Sequence, residues 1–355
     1  MADLTSDELA DRLFGSLLGV VDVMAVHIGD RLGWYRSLVD DGPATAPELA
    51  SRTGTHARYA REWLEQQAVT GYLTLDRDGE HDERVFSIPP ATAEVMTDTA
   101  SLNHLAPFAR MFAATGPTLP LLLEAYRAGG GVSWEQLGPD ARESQADGNR
   151  PWYDARLADA LAGVPDLHEA LARPGARILD VGAGAAWSTI ALARAYPEAV
   201  VSALDIDLPS VEMARANAAA AGVTLEIHHG DGADLDEASY DVAFAFECIH
   251  DMAQPVEVLA SLRRVLAPGG CLVVMDEAVA ETFAPDGDEL ERMMYGFSLL
   301  ICLPDGMSRQ PSAGTGTVMR PSVLRGYAEE AGYASTEILP IEDFGFWRFY
   351  RLTPG

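Results

Sequence analysis

Residues 176–188 read Ala-Arg-Ile-Leu-Asp-Val-Gly-Ala-Gly-Ala-Ala-Trp-Ser. The apolar run Arg177–Val181 predicts a short buried strand, and the small and apolar residues of Ser188–Tyr196 predict a helix. Between them, Gly182 and Gly184 predict a tight turn in which a ligand can lie against bare backbone at a helix N-terminus. This stretch therefore predicts the first strand, turn and helix of a ligand-binding α/β sheet.

Carboxylates follow three of the predicted strands at their carboxyl ends. Asp180 lies at the end of the first strand, Asp205 ends the second, and Asp231 follows the third. Asp205 lies 25 residues beyond Asp180, where a carboxylate can accept hydrogen bonds from both ribose hydroxyls of an adenosyl or dinucleotide ligand. Asp231 stands where it can meet an adenine amino group. Since ligands bind outside the carboxyl ends of parallel strands, we expect these carboxylates to share one site. The predicted parallel strands are 177–181, 200–204, 225–228, 240–246 and 271–275.

Two classes of cofactor fit a strand, a Gly turn and a later ribose carboxylate. The dinucleotide fingerprint requires a third small residue after the two glycines, and Trp187 fills that position here. Its bulk would obstruct the close approach of helix and strand. An acidic residue ahead of the glycines, Asp180, instead suits a positively charged methionyl group. The sequence therefore favours an adenosyl sulfonium over a nicotinamide.

Composition limits the classes of partner. The 355 residues carry a formal net charge of −29. The chain contains no Lys, so all 25 residues counted as Lys or Arg are Arg. A surface so acidic repels phosphate backbones, which counts against nucleic acid and anionic membranes as partners. The three cysteines are too few and too scattered to form a disulfide framework, and they are typical of a protein in a reducing compartment. The start lacks a basic segment, and the apolar stretch 13–28 is too short to span a bilayer, so we expect a cytoplasmic protein without membrane contact.

The N-terminal part predicts a helix followed by a winged-helix module. Thr5 and Glu8 fit a capping box, and the apolar stripe that follows as far as Ile28 is wide enough to pack on a partner chain. Residues 45–90 then predict a helix, a turn, a longer helix and a small hairpin. Because this span holds five Arg against eight acidic residues, it lacks the positive charge of a DNA-recognition helix. We therefore expect a module for homodimerisation, with a DNA-binding regulator as the rival interpretation.

The remaining segments complete the predicted architecture. Residues 91–171 are mainly helical, and Trp152 and Tyr153 are candidates for a lid over a cofactor or for core packing. A segment at 278–320 is predicted to lie over the site, and its Met-rich helix favours a hydrophobic or aromatic acceptor, although such stripes also occur in cores. A closing strand pair is predicted at 335–341 and 346–352. The predicted domains are 1–95 (winged helix and dimerisation), 96–170 (helical linker and lid) and 171–355 (cofactor binding).

Taken in order, these motifs resemble the class I S-adenosylmethionine-dependent methyltransferases. The resemblance is carried by Asp180-Val-Gly-Ala-Gly, Asp205, Gly230-Asp231, Tyr240-Asp241 and Leu266-Ala-Pro-Gly-Gly270. The winged-helix module and Ile249-His250-Asp251 are similar to actinobacterial winged-helix methyltransferases and, more distantly, to plant and polyketide small-molecule O-methyltransferases. This resemblance implies an α/β, Rossmann-like, seven-stranded methyltransferase sheet with a closing antiparallel strand pair, preceded by a mainly helical winged-helix domain. Ala186 departs from the family pattern, because many relatives have a third Gly there.

The resemblance also implies roles for individual residues. S-adenosyl-L-methionine would be the cofactor and S-adenosyl-L-homocysteine the product. The cofactor would be held by Asp180, Gly182, Gly184, Asp205, Ile206, Asp231, Gly232, Phe246 and Glu247. The catalytic residues would be His250, Asp251 and Glu277, and the residues at the acceptor would be Trp152, Tyr153, Met294, Tyr295 and Ser298.

His250 is the candidate general base in this interpretation. A phenol or alcohol must lose its proton before it accepts a methyl group, and histidine has a suitable pKa for that role. Asp251 or Glu277 would hold the imidazole, although His250 could instead only shape the pocket. Two alternatives stay open: methylation of nitrogen, carbon or a carboxylate, for which no hydroxyl base is needed, and a different, non-methylating reaction of the same cofactor. No metal site is expected, because the adjacent His228 and His229 point to opposite faces of a strand.

Overall fold

The computed structural model describes residues 4–235 and 239–355, and the chain divides into two compact units. The first unit contains residues 1–116 and 143–151, and the second contains residues 117–142 and 152–355. The helical region predicted at 96–170 is thus shared between the two units. The domain boundaries proposed from the sequence stay a prediction.

The first unit is helical with one small hairpin. The capping box predicted at Thr5 and Glu8 is present, and it opens a first helix of 26 residues. A second capping box, formed by Thr45 and Glu48, opens the third helix. The elements are α1 (Ser6–Arg31), α2 (Trp34–Asp40), α3 (Ala46–Thr53), α4 (Ala57–Thr70), β1 (Thr74–Arg77), β2 (Val85–Ser87), α5 (Pro90–Thr97) and α6 (Ala106–Ala114), with a short 3₁₀ helix at His81–Glu83. The antiparallel pair β1–β2 confirms the predicted wing.

An aromatic cluster forms the core of this unit. The ring of Trp63 lies 4.9 Å from the rings of both Trp34 and Tyr35, and its Nε1 donates to the carbonyl of Ala25 at 2.9 Å. Gly29 of α1 lies so close to Trp63 that an added Cβ would come within 2.3 Å of the indole. Helix α1 is therefore fixed to α4 by its last quarter, from residue 25 onward.

Several short helices precede the sheet. They are α7 (Leu119–Ala128), α8 (Trp134–Leu137), α9 (Pro139–Trp152), a π-helical turn (Tyr153–Leu157), α10 (Ala158–Ala162) and α11 (Pro165–Ala172). The glycines at 129–131 separate α7 from α8, as the sequence predicts.

The second unit is built on a seven-stranded sheet. Its strands are β3 (Arg177–Val181), β4 (Val200–Asp205), β5 (Glu226–His229), β6 (Tyr240–Phe246), β7 (Leu266–Glu277), β8 (Tyr333–Ile338) and β9 (Trp347–Pro354). They lie in the order β5-β4-β3-β6-β7-β9-β8, with β9 antiparallel to both β7 and β8. The strand order reverses between β3 and β6, which is the topological switch point where ligands bind in such sheets. The predicted fold class is confirmed.

Both faces of the sheet are buried. Ile178, Val242 and Phe244 belong to one apolar core, whereas their strand neighbours Leu179 and Ala243 belong to a second core on the opposite face. This alternation follows from the two-residue period of a strand, and burial of both faces is expected of a mainly parallel sheet. The covering helices are α12 (Trp187–Ala195), α13 (Leu208–Ala221), α14 (Pro255–Val265) and α17 (Pro321–Glu330).

The bounds of several strands differ from the sequence prediction. β7 begins at Leu266 rather than Cys271, because the Ala-Pro-Gly-Gly segment continues the pairing with β6 through a register irregularity. The closing strands lie at 333–338 and 347–354, each shifted from its predicted position. The segment predicted to lie over the site contains α15 (Glu289–Phe297), a π-helical turn (Ser298–Cys302) and α16 (Leu303–Met307). Within the described ranges, no helix is both long and apolar enough to span a bilayer.

Candidate active site

The turn between β3 and α12 presents bare backbone. Gly182 and Gly184 have φ angles of 69° and 52°, in the left-handed region that glycine enters without strain. A Cβ on Gly182 would lie 2.7 Å from the Cβ of Cys248, whereas a Cβ on Gly184 would meet no atom within 4 Å. Gly182 is therefore required for packing, and Gly184 faces open space in which a ligand can approach the backbone.

Ala186 adopts a left-handed conformation without being glycine. Its φ is 62°, it is fully buried, and it occupies the N-cap position of α12. Such a conformation costs an L-residue about 1–2 kcal/mol. The position where many relatives have a third Gly thus keeps the glycine-type backbone in this chain.

Asp180 is completely buried beneath this turn. One carboxylate oxygen, Oδ2, accepts hydrogen bonds of 2.6 Å from the hydroxyls of both Ser188 and Thr189. The other oxygen, Oδ1, is buried and has no hydrogen-bond partner within the described part of the chain. Burial raises the pKa of Asp180 to about 6, against the opposing effect of the two hydroxyls. The site therefore holds a carboxylate with one unused acceptor atom.

Asp205 connects the end of β4 to the Gly turn. Its Oδ2 accepts from the backbone N–H of Gly184 at 2.7 Å, and its Oδ1 accepts from the N–H of Asp207 at 2.8 Å. Burial raises its pKa, while these backbone donors act in the opposite direction. The next residue, Ile206, has a partly exposed side chain, and its carbonyl lies 3.1 Å from Nε2 of His229. Two predicted cofactor residues, Asp205 and Gly184, are thus in direct contact.

Asp231 begins a short 3₁₀ helix after β5. Its Oδ1 accepts from the N–H of Ala233 at 2.9 Å, and its side chain is exposed. Gly232 is buried, and a Cβ there would lie 3.1 Å from both Val181 and Val258. The Asp231 carboxylate therefore remains accessible, while Gly232 lets this segment pack against β3 and α14.

The end of β6 is held in an unusual backbone conformation. Phe246 stacks on Phe244 with ring centroids 5.1 Å apart. Glu247 has a φ of 48°, its N–H donates to the carbonyl of Met275 at 2.8 Å, and its carboxylate accepts from Nε1 of Trp347. Non-glycine residues in this region are concentrated at functional sites.

His250 lies in a 3₁₀ turn (Ile249–Asp251) and is surrounded by carboxylates. Its side chain is 2% exposed. Nδ1 lies 3.0 Å from both oxygens of Asp276 and 3.4 Å from Oε2 of Glu277, and Nε2 lies 3.2 Å from Oδ1 of Asp251. Both ring nitrogens therefore face a carboxylate.

The carboxylates around His250 change its pKa. Burial alone would lower the pKa of His250, but Asp276, Glu277 and Asp251 together raise it well above its usual value. Burial also raises the pKa of Glu277 well above its usual range, and the charge of Asp276 adds to this effect. The protonated form of His250 is therefore favoured by the carboxylates around it. Asp251, at 29% side-chain exposure, is the least buried of the three carboxylates.

Asp276 is the functional residue that sequence reasoning missed. The sequence assigned Glu277 as the acidic residue that orients His250, yet Asp276 makes the two shorter contacts with Nδ1. Glu277, the next residue of β7, also reaches Nδ1, at the longer distance of 3.4 Å. The sequence shows the pair Asp276-Glu277 at a predicted strand end. It does not show which of the two lies nearer to Nδ1 of His250.

Two groups of donor atoms around the imidazole each lie within 4.8 Å of one another. They are His250 with Asp251 and Cys302, and His250 with Asp276 and Glu277. This spacing would suit a cation, whereas the sequence analysis expected no metal.

The residues predicted to contact an acceptor lie in two places. Trp152 packs against Phe344 and Trp347 at centroid distances of 5.7 and 5.6 Å, and Tyr153 lies 5.5 Å from Phe246. In the other place, Met294 and Ser298 are buried, while Tyr295 is partly exposed and its hydroxyl accepts from Arg320 at 3.3 Å. The aromatic pair therefore borders the end of β6, and the second group belongs to α15 and the turn after it.

This arrangement fits the expected adenosyl sulfonium. The open space at Gly184 can admit a ligand against the backbone, and the unpaired Oδ1 of Asp180 can accept from a cationic amine. Asp205 and Asp231 keep further acceptor capacity, because each carboxylate oxygen offers two lone pairs. The residues present thus match the donors and the charge of that cofactor.

Comparisons with known proteins agree with this geometry. Residues 178–270 match a family described as "Methyltransferase domain", and residues 20–98 match an "Rv2258c-like winged HTH domain". A protein-L-isoaspartate O-methyltransferase of Methylorubrum populi is 36% identical over 182 residues, which cover 50% of this chain and 80% of that protein. The 27-O-demethylrifamycin SV methyltransferase of Amycolatopsis mediterranei is 30% identical over 166 residues, which cover 45% of this chain and 59% of that protein.

Solved structures share the fold over nearly the whole chain. Human N-acetylserotonin methyltransferase, solved in complex with SAM, covers 99% of this chain and 100% of its own, with a TM-score of 0.72 and 16% identity. Other solved O-methyltransferases cover 98–99% of the chain at TM-scores of 0.70–0.73 and identities of 16–24%. At these identities the likeness establishes the fold.

Proposed function

Because this chain belongs to the class I S-adenosylmethionine-dependent methyltransferases, we propose that it methylates a hydroxyl group of a hydrophobic or aromatic small molecule. The observation that carries this proposal is the buried His250, held between Asp276 and Asp251 at the carboxyl end of β6. A histidine bracketed by carboxylates is an arrangement suited to taking a proton from a hydroxyl.

The cofactor would be held by the groups around the Gly turn. Asp205 would accept from the ribose hydroxyls, Asp231 from the adenine amine, and Asp180 from the methionyl ammonium. When bound, the sulfonium supplies an already activated methyl group. The protein's tasks are then to align the acceptor oxygen with that methyl group, to exclude water and to remove one proton.

His250 would take that proton through Nε2. In the ligand-free structure, Oδ1 of Asp251 lies 3.2 Å from Nε2. An acceptor hydroxyl must replace this carboxylate, and Asp251 is exposed enough to turn away. Asp276 would keep Nδ1 protonated and would stabilise the imidazolium that forms. Because the neighbouring carboxylates raise the pKa of His250, the neutral imidazole becomes more populated as the pH rises.

Apolar groups support the choice of acceptor. Met293 and Leu299 are about half exposed on the segment that contains the buried Met294 and Ser298. Tyr153 packs beside Phe246, and Trp152 packs beside Trp347, so aromatic groups lie near the end of β6. Pockets for small molecules are mostly apolar with a few polar groups that fix orientation, which matches this mixture.

Methylation of an amine is the second candidate. The raised pKa of His250 favours its protonated form, which cannot accept a proton. An amine acceptor can lose its proton to water before it enters the site and would not need His250 as a base. Loss of the His250 side chain would then leave turnover nearly unchanged.

We also propose that the protein is a homodimer joined through α1. Large apolar side chains are exposed along its first three quarters: Leu9, Leu13, Phe14, Leu17, Leu18, Val20, Val21 and Met24. A helix that is apolar on most sides is stable only when it is covered. Dimerisation through a second copy of α1 would cover it, in line with a structural rather than DNA-binding role for the winged helix.

A cytoplasmic location completes the proposal. The three cysteines are all free thiols. Thiols persist in reducing compartments, whereas secreted proteins tend to pair them.

The proposal is tested by binding and by an acceptor screen. Calorimetry with S-adenosyl-L-homocysteine measures cofactor binding without any acceptor. A screen of phenols, alcohols and amines, followed by mass spectrometry, then detects the gain of one methyl group. Methylation of phenols by the wild type but not by His250→Gln supports the proposed reaction. Binding to DNA fragments in gel-shift assays, without methyl transfer to any acceptor, would favour the regulator instead.

A further inference from the structure

A buried ion pair links the start of α9 to the loop after β4. Arg142, the fourth residue of α9, is 9% exposed. Its Nε lies 2.6 Å from Oδ2 of Asp207, and one terminal nitrogen lies 3.0 Å from Oδ1. This is a bidentate contact between residues 65 positions apart in the chain.

Asp207 connects Arg142 to the predicted cofactor residues. Its own N–H donates to Oδ1 of Asp205 at 2.8 Å, and Oδ2 of Asp205 accepts from the N–H of Gly184 at 2.7 Å. The Asp207 carboxylate also accepts from the N–H and hydroxyl of Ser210 at the start of α13. A continuous series of hydrogen bonds thus runs from Arg142 through Asp207 and Asp205 to Gly184.

The charges explain why a cation is needed here. Asp205 and Asp207 are both partly or largely buried and lie two residues apart, and the charge of Asp207 adds to the effect of burial in raising the pKa of Asp205. Burial would likewise raise the pKa of Asp207, but hydrogen bonds from Arg142 and Ser210 hold it below its usual range. Arg142 therefore neutralises the carboxylate that would otherwise repel Asp205.

The segment that carries Arg142 is fixed at its other end as well. The N–H of Trp134 donates to Oδ1 of Asp305 at 2.6 Å, and the N–H of Val132 donates to the carbonyl of Pro304 at 3.0 Å. Gly131 approaches the same carbonyl so closely that a Cβ would lie 1.9 Å from it. Because residues 131–142 are anchored on α16 in this way, Arg142 is presented to Asp207 by a constrained backbone.

We propose that Arg142 is a positioning residue for the adenosyl cofactor, acting through Asp207 to hold Asp205 and the Gly184 N–H in the geometry that receives the ribose. Arg142 itself need not touch the cofactor. The inference rests on the cofactor assignment and is independent of the acceptor and of the role of His250.

Calorimetry with S-adenosyl-L-homocysteine on the full chain tests this proposal. We expect Arg142→Gln to raise the Kd about tenfold, a coupling typical of residues in one hydrogen-bonded network. Arg142→Lys should recover part of the loss, because it keeps the charge but not the bidentate geometry. In an Asp207→Asn background, replacing Arg142 should change the Kd less than about twofold, since the connecting carboxylate is already neutral.

Hydrogen exchange of the ligand-free protein provides a second measurement. The amides of Gly184 and Asp207 should exchange faster in Arg142→Gln than in the wild type, because their acceptor, Asp205, is no longer held. Arg351→Gln is the matched control: it removes an ion pair with Asp166 in the same unit without contacting these residues. That control should keep the wild-type Kd and the wild-type exchange at both amides, even if its thermal midpoint falls.

Three results would be decisive. A wild-type Kd in Arg142→Gln, with unchanged exchange at Gly184, would overturn the proposal. An Arg142→Gln effect that persists in full in the Asp207→Asn background would show that Arg142 does not act through Asp207, which also overturns it. A wild-type protein that fails to bind S-adenosyl-L-homocysteine at all would instead contradict the cofactor assignment.

Discussion

Nδ1 of His250 lies 3.0 Å from both carboxylate oxygens of Asp276, and both side chains are almost completely buried. A buried cation and a buried anion at this distance stabilise each other, and removing either one leaves the other uncompensated. The pair therefore fixes the orientation of the ring and directs Nε2 toward Asp251. This geometry determines what each substitution at the site should do.

Replacing His250 should lower turnover without weakening cofactor binding. General base catalysis contributes about 10²–10⁴-fold, so we expect His250→Gln to reduce kcat by a factor in that range. The Kd for S-adenosyl-L-homocysteine should stay within about threefold of the wild type, because no predicted cofactor contact involves His250. Steady-state kinetics and calorimetry measure the two effects separately. A near-normal kcat would reject the base role and favour an acceptor that needs no base.

The rate should rise with pH as His250 loses its proton. The carboxylates around His250 raise its pKa, so the neutral imidazole that can accept a proton appears only as the pH passes that raised value. In Asp276→Asn the removal of one negative charge should lower this pKa, and the midpoint of the pH–kcat curve should move about 1–3 units toward acid. The measurement is kcat of the wild type and of Asp276→Asn at pH values from about 6 to about 10. An unchanged midpoint would mean that His250 does not set the profile.

Asp205→Asn should weaken cofactor binding. Hydrogen bonds to a charged group contribute about 1.5–3 kcal/mol, which corresponds to a rise in Kd of about tenfold to a hundredfold. Calorimetry with S-adenosyl-L-homocysteine measures the change. Asp159→Asn, an exposed position on α10, is the control and should bind normally. Equal affinities in the two variants would place the ribose elsewhere.

The Asp180 carboxyl should make stability depend on pH. Its pKa is about 6 in the folded protein, whereas an unfolded Asp titrates near 3.9. The folded state therefore binds the proton more tightly, and the free energy of unfolding should fall as the pH rises from about 4 to about 6. Asp180→Asn lacks this titration, so its stability relative to the wild type should increase by about 2–3 kcal/mol across that window and then level off.

Urea unfolding of the ligand-free proteins at several pH values measures this difference. Thr189→Val, which removes one of the two hydroxyl donors to Asp180, should have the opposite effect and steepen the pH dependence, because the charged form loses support. A difference between Asp180→Asn and the wild type that is constant from pH 4 to 7 would contradict the raised pKa, since the expected change spans about two units.

Charges on the outer face of α1 should separate the proposed dimer. Leu13 and Leu17 are 60% and 56% exposed, so replacing both with Glu should leave the fold of the first unit intact. The proposed interface would then bury two unpaired carboxylates in each chain, which is strongly unfavourable. Sedimentation analysis should give a dimer for the wild type and a monomer for the double variant. Leu75→Glu on the wing is the control, and a monomeric wild type would contradict the proposal.

The sequence predicted the sheet well because its signals are local. The strands 177–181 and 240–246 and the capping box at Thr5 lie where the pattern places them. The three strand-end carboxylates follow from the same pattern. The shift of β7 to Leu266 was not predicted, because a Pro-Gly-Gly segment indicates a turn unless the pairing with β6 is known.

Contacts between distant residues could not be predicted from the sequence. Arg142 carries no motif, and its partner Asp207 lies 65 positions away. Asp276 and Glu277 are adjacent and both reach Nδ1 of His250, and the sequence does not show which of them makes the shorter contacts. Trp152 was assigned to the acceptor or to the core, and its packing against Phe344 and Trp347 depends on the C-terminal strand pair, which the sequence located only approximately.

Glu247 has a left-handed backbone that is held by the carbonyl of Met275 on one side and by the side chain of Trp347 on the other. The backbone of Glu247 therefore loses its conformational entropy when the protein folds and not when a ligand binds. Preorganisation of this kind leaves more of the intrinsic contact energy available as affinity. The backbone beside Glu247 is already fixed before a ligand binds there. This part of the site should therefore select ligands by shape and should not adapt to them.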